Sequence, residues 1–119
     1  MENTAYPNLQ IDLQKLYNNA KNLVSFANAN GINITGVVKG SDSSKEVAKE
    51  FIKAGCMGIA DSRIEKLAKL KEEGIKEDMM LLRVPMLSEV EHAVRYAEIS
   101  INSEVVVLEA LNIEANNQN

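Results

Sequence analysis

The chain has 119 residues with 45% hydrophobic and 25% charged side chains, a composition typical of one soluble globular domain over residues 1–119. No stretch approaches the roughly 20 consecutive apolar residues of a membrane-spanning helix, so no membrane is expected as a partner. The net charge of −4 offers no basic surface to a phosphate backbone, so nucleic acid is not expected as a partner either.

The N-terminal segment and the single cysteine indicate a reducing compartment. Met1–Pro7 is polar and acidic and lacks the basic region and apolar run of a secretory signal, which favours the cytoplasm. Cys56 has no second cysteine for an intrachain disulfide or a zinc site, and its position at a strand entrance is typical of a small core residue. Met57, Met79, Met80 and Met86 could suggest a metal or a soft binding groove. Three of them, Met57, Met79 and Met80, lie in predicted strands and are interpreted as core residues, so no metal is expected.

Segments with helical periodicity alternate along the chain with short apolar runs. Apolar residues at spacings of three and four predict amphipathic helices, and the short β-branched or apolar runs predict strands. Glycines end the first three helices, Pro85 closes the third strand, and a capping box of Ser88 and Glu91 opens the fourth helix. The predicted bounds are helix 12–29, strand 32–39, helix 44–54, strand 57–60, helix 62–73, strand 79–84, helix 88–97, strand 98–101 and a last helix from 103.

This order of elements indicates the fold class. Strands that alternate with helices of about ten residues imply parallel pairing with right-handed crossovers, which is an α/β fold. A barrel and an open sheet are both compatible with the pattern. The last residues, 112–119, lose the apolar period and are predicted to form a frayed or truncated end.

Four short motifs, taken in order, resemble a known family. They are Gly36-Val-Val-Lys39, Ala60-Asp-Ser-Arg-Ile64, Leu81-Leu-Arg-Val-Pro-Met86 and Ile101-Asn-Ser-Glu104. Together they resemble the N-terminal part of the pyridoxal-phosphate (PLP) dependent amino-acid racemases of fold type III, the alanine and ornithine racemase family. The resemblance covers nearly the whole chain, and the order of the motifs is more specific than any one of them.

The resemblance implies a fold, a cofactor and a role for one lysine. In that family the first strand of a (β/α)8 TIM-type barrel delivers the lysine that forms the internal aldimine with PLP, and this position corresponds to Lys39. The chain would then be a partial barrel of about four parallel βα units with an N-terminal helix. Members of the family act on small amino acids and are commonly dimers with shared active sites, so a homo-oligomer is expected.

The chain departs from the bacterial alanine racemases in two respects. Those enzymes follow their lysine with Ala-x-Ala-Tyr, whose tyrosine holds the cofactor phosphate, whereas Lys39 is followed by Gly40-Ser-Asp-Ser43. The phosphate contacts must therefore differ, and similarity favours ornithine over alanine as the substrate. The family's later strands, which supply most of the phosphate site and the partner of the pyridine nitrogen, have no counterpart here, so the isolated chain is expected to be weak or inactive.

Lys39 is the predicted catalytic and cofactor-carrying residue. It ends an apolar strand, shares strand parity with Thr35 and Val37, and precedes a small polar loop that leaves room for a ligand. The alternative is that the side chain simply reaches water from the strand end, as lysines often do. The strand taken alone favours that alternative, and the resemblance reverses the preference.

Arg83 is a second predicted cofactor-binding residue. It lies near the end of a predicted apolar strand, where a buried guanidinium requires an anionic partner. The partner is either the cofactor or the substrate carboxylate, or else Asp61 or Glu104 in a structural ion pair. Both interpretations stay open.

Asn102 and Ser103 complete the predicted cofactor-binding set. They follow the fourth strand, as Asp61-Ser-Arg63 follows the second, on the side of a barrel where ligands bind. Ser, Asp and Asn are also ordinary helix caps, and the cap interpretation is the stronger one for these residues. His92 falls on the solvated side of its helix and is assigned no catalytic role.

Three hypotheses on function follow. The first is a racemase in which Lys39 carries PLP and acts as one proton-transfer base, the second base coming from outside this chain or from a partner subunit. The second is a PLP-binding homeostasis protein that holds the cofactor on the same lysine without turnover. The third is a non-enzymatic half-barrel that associates to cover its open edges.

Overall fold

The computed structural model describes residues 6–118, in which helices and parallel strands alternate. Two short 3-10 turns, Lys39–Ser41 and Leu87–Glu89, interrupt the pattern. The helices are α1 Leu13–Ala29, α2 Lys45–Ala54, α3 Ile64–Glu72, α4 Val90–Tyr96 and α5 Val105–Asn117, and the strands are β1 Thr35–Val37, β2 Gly58–Asp61, β3 Asp78–Leu81 and β4 Ile99–Ser100.

The four strands form one parallel sheet in the order β1-β2-β3-β4. Each strand therefore pairs with the next one along the chain, which is the connectivity of consecutive βα units in a barrel. The predicted α/β class and the parallel pairing are confirmed. Within residues 6–118, no helix is both long and apolar enough to cross a membrane.

Local chemistry sets the helix ends where the sequence predicts them. The Asp12 carboxylate accepts a hydrogen bond from the Lys15 N–H at 3.0 Å and caps α1, and the Ser44 hydroxyl caps α2. Gly55 follows α2 with φ of 105°, in the left-handed region that glycine adopts without a steric cost. These contacts fix where β1 and β2 begin relative to the helices.

The core lies between the helices and one face of the sheet. Ile59, Met79 and Leu81 point to this face and are almost fully buried, together with Leu67 and Leu70 from α3. The opposite face carries a row across all four strands, formed by Val37, Ala60, Met80 and Ile99. Val37 and Ile99 in that row are 45% and 38% exposed, so this apolar face is only partly covered in the described chain.

Two predicted strand ends are wrong, and both errors concern site residues. The predicted strand 32–39 ends at Val37, because the Ser41 and Ser43 N–H groups both donate to the Val38 carbonyl and turn the chain out of the sheet. Lys39 therefore opens a 3-10 turn instead of ending the strand. The predicted strand 79–84 ends at Leu81, because the neighbouring strands end at Asp61 and Ser100, the residues that pair with Leu81.

Two further predictions about single elements are wrong. The predicted Ser88–Glu91 capping box is replaced by a hydrogen bond of 2.8 Å from the Met86 N–H to the Glu89 carboxylate. The predicted frayed end is helical through Asn117, because its amide side chains bond back within α5, as from Asn116 Nδ2 to the Asn112 carbonyl at 2.8 Å.

The assignment of the three strand methionines to the core is confirmed for Met79, which is fully buried, and wrong for Met57, which is exposed. Met80 is half-buried. The expectations of a buried Cys56 and of a solvated His92 are confirmed. The absence of a secretory signal rests on Met1–Pro7, of which residues 1–5 lie outside the described part of the chain.

Candidate cofactor site at the carboxyl ends of the strands

The residues that the sequence singles out gather at one edge of the sheet. Lys39, Asp61, Arg83 and Asn102 lie at or just after the carboxyl ends of β1, β2, β3 and β4. Neighbouring parallel strands are about 4.8 Å apart, so Lys39 and Arg83 follow strands separated by roughly 10 Å. In barrel folds this edge is where ligands bind, because the loops that follow the strands converge there.

Lys39 has a fixed backbone and an ammonium group that is unpaired within residues 6–118. Its carbonyl accepts from the Asp42 N–H at 3.3 Å, and the preceding Val38 N–H donates to the Ala60 carbonyl at 3.0 Å, which ties the turn to β2. The side chain is exposed, and its Nζ forms no hydrogen bond or ion pair with any of residues 6–118. The amine is therefore available to a ligand that approaches this edge.

Open space adjoins Lys39. A Cβ placed on Gly40 would meet no atom within 4 Å. A cavity of about 310 Å³ also lies beside Val37 and Gly40, and apolar side chains from the N-terminal segment, α1 and α2 line most of it. That volume is within the range of small-molecule sites.

Arg83 does not occupy the environment that the sequence predicts. It lies beyond the end of β3, its side chain is 50% exposed, and its Nη2 contacts both oxygens of the Glu89 carboxylate at 3.1 and 3.2 Å. The predicted buried guanidinium is therefore wrong, and the ion-pair partner is neither Asp61 nor Glu104. The reason is local: Glu89 lies in the 3-10 turn that follows, only six residues away.

Asn102 and Ser103 do not cap the helix that follows them. The helix α5 begins after Glu104, and among the described residues no side-chain hydrogen bond caps its first turn. Asn102 Nδ2 donates to Ser100 Oγ at 2.7 Å, while Asn102 Oδ1 is buried and has no partner within the described chain. A buried carbonyl oxygen without a donor is costly, which favours a missing donor at this place. The Ser103 side chain is exposed.

Asp61 and Ser43 form a buried polar pair beside Lys39. The two residues are only 2% and 5% exposed, and the Ser43 hydroxyl donates to the Asp61 carboxylate. The second oxygen of Asp61 accepts from the Arg63 N–H at 2.9 Å. Ser43 carries no sequence signal for this contact, because its partner is 18 residues away along the chain. A lone aspartate at the end of the apolar run Gly58-Ile-Ala is the signal that points to Asp61.

These residues fit a cofactor that carries an aldehyde and polar substituents. An aldehyde needs a primary amine that is not already paired, which Lys39 provides. The orphaned oxygen of Asn102 and the half-exposed guanidinium of Arg83 add an acceptor and a cationic donor at the same edge. PLP has this chemistry, so the residues present are compatible with it.

Comparison with known proteins places the chain in a family. Residues 11–119 match the model for the alanine racemase N-terminal domain. The chain belongs to this family. It is 42% identical over 114 residues to the ornithine racemase of Acetoanaerobium sticklandii, a match that covers 96% of this chain and 32% of that protein. It is 37% identical over 91 residues to the lysine racemase of Thermotoga maritima, which covers 76% of this chain and 26% of the relative.

Solved structures show the same fold. An alanine racemase from E. faecalis superposes with a TM-score of 0.74 at 24% identity, over 86% of this chain and 28% of that one. A D-threonine aldolase from Filomicrobium marinum gives 0.80 at 14% identity, over 95% and 31%. The four βα units of this racemase-family chain are thus a partial barrel. The chain spans about a third or less of the length of each of these relatives and structures.

Proposed function

We propose that this chain is the part of a PLP-dependent amino-acid racemase that carries the cofactor, with Lys39 as the residue that binds it. The observation that carries the proposal is the unpaired amine of Lys39 at the carboxyl end of β1, the strand that opens the sheet. Membership of the alanine racemase N-terminal domain family and 42% identity to an ornithine racemase support it.

The division of labour between cofactor and protein follows from the chemistry of racemisation. When bound, PLP supplies an electron-withdrawing ring that stabilises the charge left when an amino acid loses its α-proton. Lys39 Nζ has two tasks on the protein side. Its amine would hold the cofactor, and as a free amine it would accept or return the α-proton on one face of the substrate.

The other residues of the site bind and orient. Arg83 is held by Glu89 at the rim and presents the remaining N–H groups of its guanidinium to an anionic group of the cofactor or substrate. Asn102 Oδ1 accepts a hydrogen bond that the described chain does not supply, and the exposed Ser103 hydroxyl lies next to it. The second proton-transfer base comes from outside this chain, either from further barrel strands or from a partner subunit in a homo-oligomer.

The proposed substrate is an amino acid with a basic side chain, and ornithine is the first one to test. Two relatives that match this chain at 42% and 37% identity are racemases of ornithine and lysine. The segment after Lys39, Gly40-Ser-Asp-Ser43, is small and polar and brings no aromatic side chain toward the amine. The proposed location of the enzyme is the cytoplasm.

The proposal is tested by adding PLP to the purified chain and following absorption near 400 nm. Lys39→Ala is the test variant, and Lys45→Ala is the control, because it removes a lysine from the same region of the fold. A band in the wild type and the Lys45 variant that is absent from Lys39→Ala supports the cofactor role, and conversion of L-ornithine to the D-form then supports the racemase. A band without turnover favours a non-catalytic PLP-binding protein. The same band in Lys39→Ala would contradict the proposal.

A further inference from the structure

The loop that follows Lys39 has an unusual backbone. Asp42 and Ser43 have φ values of 52° and 55°, so two consecutive non-glycine residues adopt the left-handed conformation. This conformation is sterically unfavourable for residues with a Cβ and persists where surrounding contacts hold it. Glycine adopts this conformation without strain, but Gly40, the glycine of this loop, does not have a positive φ.

A buried contact to the next strand holds this conformation. The Ser43 hydroxyl donates to the carboxylate of Asp61 at the end of β2, and both side chains are more than nine-tenths buried. Asp61 forms no ion pair with any of residues 6–118, so its charge is satisfied by hydrogen bonds from Ser43 and from the Arg63 N–H. A buried carboxylate with only neutral donors is sensitive to the loss of either one.

The contact reaches Lys39 through the backbone. The Ser43 N–H donates to the Val38 carbonyl at 3.1 Å, and the Asp42 N–H donates to the Lys39 carbonyl at 3.3 Å. The Ser41 hydroxyl adds a third donor to Val38, at 2.9 Å. The carbonyl groups of Val38 and Lys39 are thus hydrogen-bonded to the loop that Ser43 anchors. On its other side, the Val38 N–H donates to β2 at 3.0 Å.

We infer that Ser43 and Asp61 are positioning residues, which fix the direction in which Lys39 presents its amine to the cofactor. The inference rests on the proposed function, since it concerns the lysine proposed to carry PLP. Neither side chain touches the amine. They act by fixing the φ and ψ angles of the turn, so that the long Lys39 side chain starts from one defined backbone position.

The test compares Ser43→Ala and Asp61→Asn with Ser44→Ala. Ser44 is the next residue of the loop and caps α2 through the Val47 N–H at 3.4 Å, so its loss destabilises the fold without touching the buried pair. Each variant is titrated with PLP and then reduced with borohydride, and the circular dichroism of the trapped cofactor is measured per mole bound. PLP is achiral, so this signal reports a fixed orientation at the lysine.

We expect both pair variants to bind PLP about tenfold more weakly, as for loss of one charge-assisted hydrogen bond. They should also lose at least half of the circular dichroism per mole of trapped cofactor. The Ser43 backbone amide hydrogen should exchange with solvent faster than in the wild type. Ser44→Ala should keep the wild-type signal and affinity within twofold, although it melts at a lower temperature.

The double variant separates positioning from folding. Ser43→Ala/Asp61→Ala removes both side chains of the pair, so no buried carboxylate is left without the hydroxyl that donates to it. This double variant should regain thermal stability over Ser43→Ala but not the cofactor signal. If either single variant fails to fold, the circular dichroism of the cofactor trapped on the double variant tests the inference instead. Wild-type binding with unchanged signals in the folded pair variants would overturn the inference alone. No trapped cofactor in the wild type would overturn the proposed function, and the inference with it.

Discussion

A single methyl group added to β1 should separate the first strand from the helix that covers it. Gly36 is buried in β1, three residues before Lys39, and Phe51 of α2 packs directly on it. A Cβ at position 36 would lie 2.6 Å from Phe51 Cδ2 and 2.9 Å from both Phe51 Cβ and Cγ. The ring can rotate away, but Phe51 Cβ is tied to the helix backbone, so α2 itself has to move.

The magnitude follows from two opposed terms. Overpacking of this kind costs about 1–3 kcal/mol, and alanine in a strand recovers about 0.5–1 kcal/mol relative to glycine. Gly36→Ala should therefore lower the free energy of unfolding by about 1–2 kcal/mol. Urea unfolding followed by far-ultraviolet circular dichroism measures it, because the chain contains no tryptophan.

Two comparison variants sharpen this measurement. Gly40→Ala should be neutral or slightly stabilising, because its added Cβ meets nothing within 4 Å. In a Phe51→Ala background, Gly36→Ala should cost less than in the wild type, because two of its three close contacts are gone. A Gly36→Ala protein as stable as the wild type, or a cost unaffected by residue 51, would refute the close packing of α2 on β1.

Three further predictions concern the core and two titratable groups. Leu67 is fully buried under the sheet, so Leu67→Ala should destabilise the chain by about 2–4 kcal/mol in urea unfolding, and a loss below 1 kcal/mol would show that the core is not packed as described. Burial raises the pKa of the Cys56 thiol, so at pH 8 the native chain should react with a thiol reagent far more slowly than the urea-unfolded chain, whereas equal rates would contradict its burial. Burial alone would raise the pKa of Glu98, but hydrogen bonds from Lys71 Nζ and the Met79 N–H, each 2.7 Å long, outweigh burial and keep the pKa below its ordinary value of 4.5. A lowered folded-state pKa stabilises the chain above about pH 4.5 and ceases to do so as the pH falls through the folded value. Glu98→Gln should therefore be less stable than the wild type at pH 7, and the difference should narrow as the pH falls below about 4.5. A difference in stability that does not change with pH would contradict the assignment.

The sheet and its order follow from local sequence patterns. β2 is predicted at 57–60 and observed at Gly58–Asp61. The prediction succeeds because a short apolar run between two amphipathic helices is typical of a strand in a parallel sheet that helices cover. The position of Lys39 at the carboxyl edge also follows from the pattern. Its exact backbone does not, because the turn that takes it out of the strand depends on two N–H groups that converge on the Val38 carbonyl.

What the sequence pattern misses depends on pairing between distant segments. The pattern extends β3 to Val84, but β3 ends at Leu81, which pairs with the last residue of each neighbouring strand, Asp61 of β2 and Ser100 of β4. Arg83 is thereby released to Glu89 at the surface. Ser43 is missed for a similar reason, since nothing within the loop indicates that its hydroxyl reaches Asp61 on the next strand. Met57 is apolar yet exposed, because burial of a strand end depends on what packs against it.

The most direct test of the central claim is to locate the cofactor on the chain. The purified protein is mixed with PLP, reduced with borohydride and digested, and the peptides that carry the added phosphopyridoxyl mass are identified by mass spectrometry. We predict that the label is concentrated on the peptide containing Lys39, because its amine is unpaired at the edge where the strands end. A label spread evenly over the exposed lysines, or concentrated on any lysine other than Lys39, would contradict the claim.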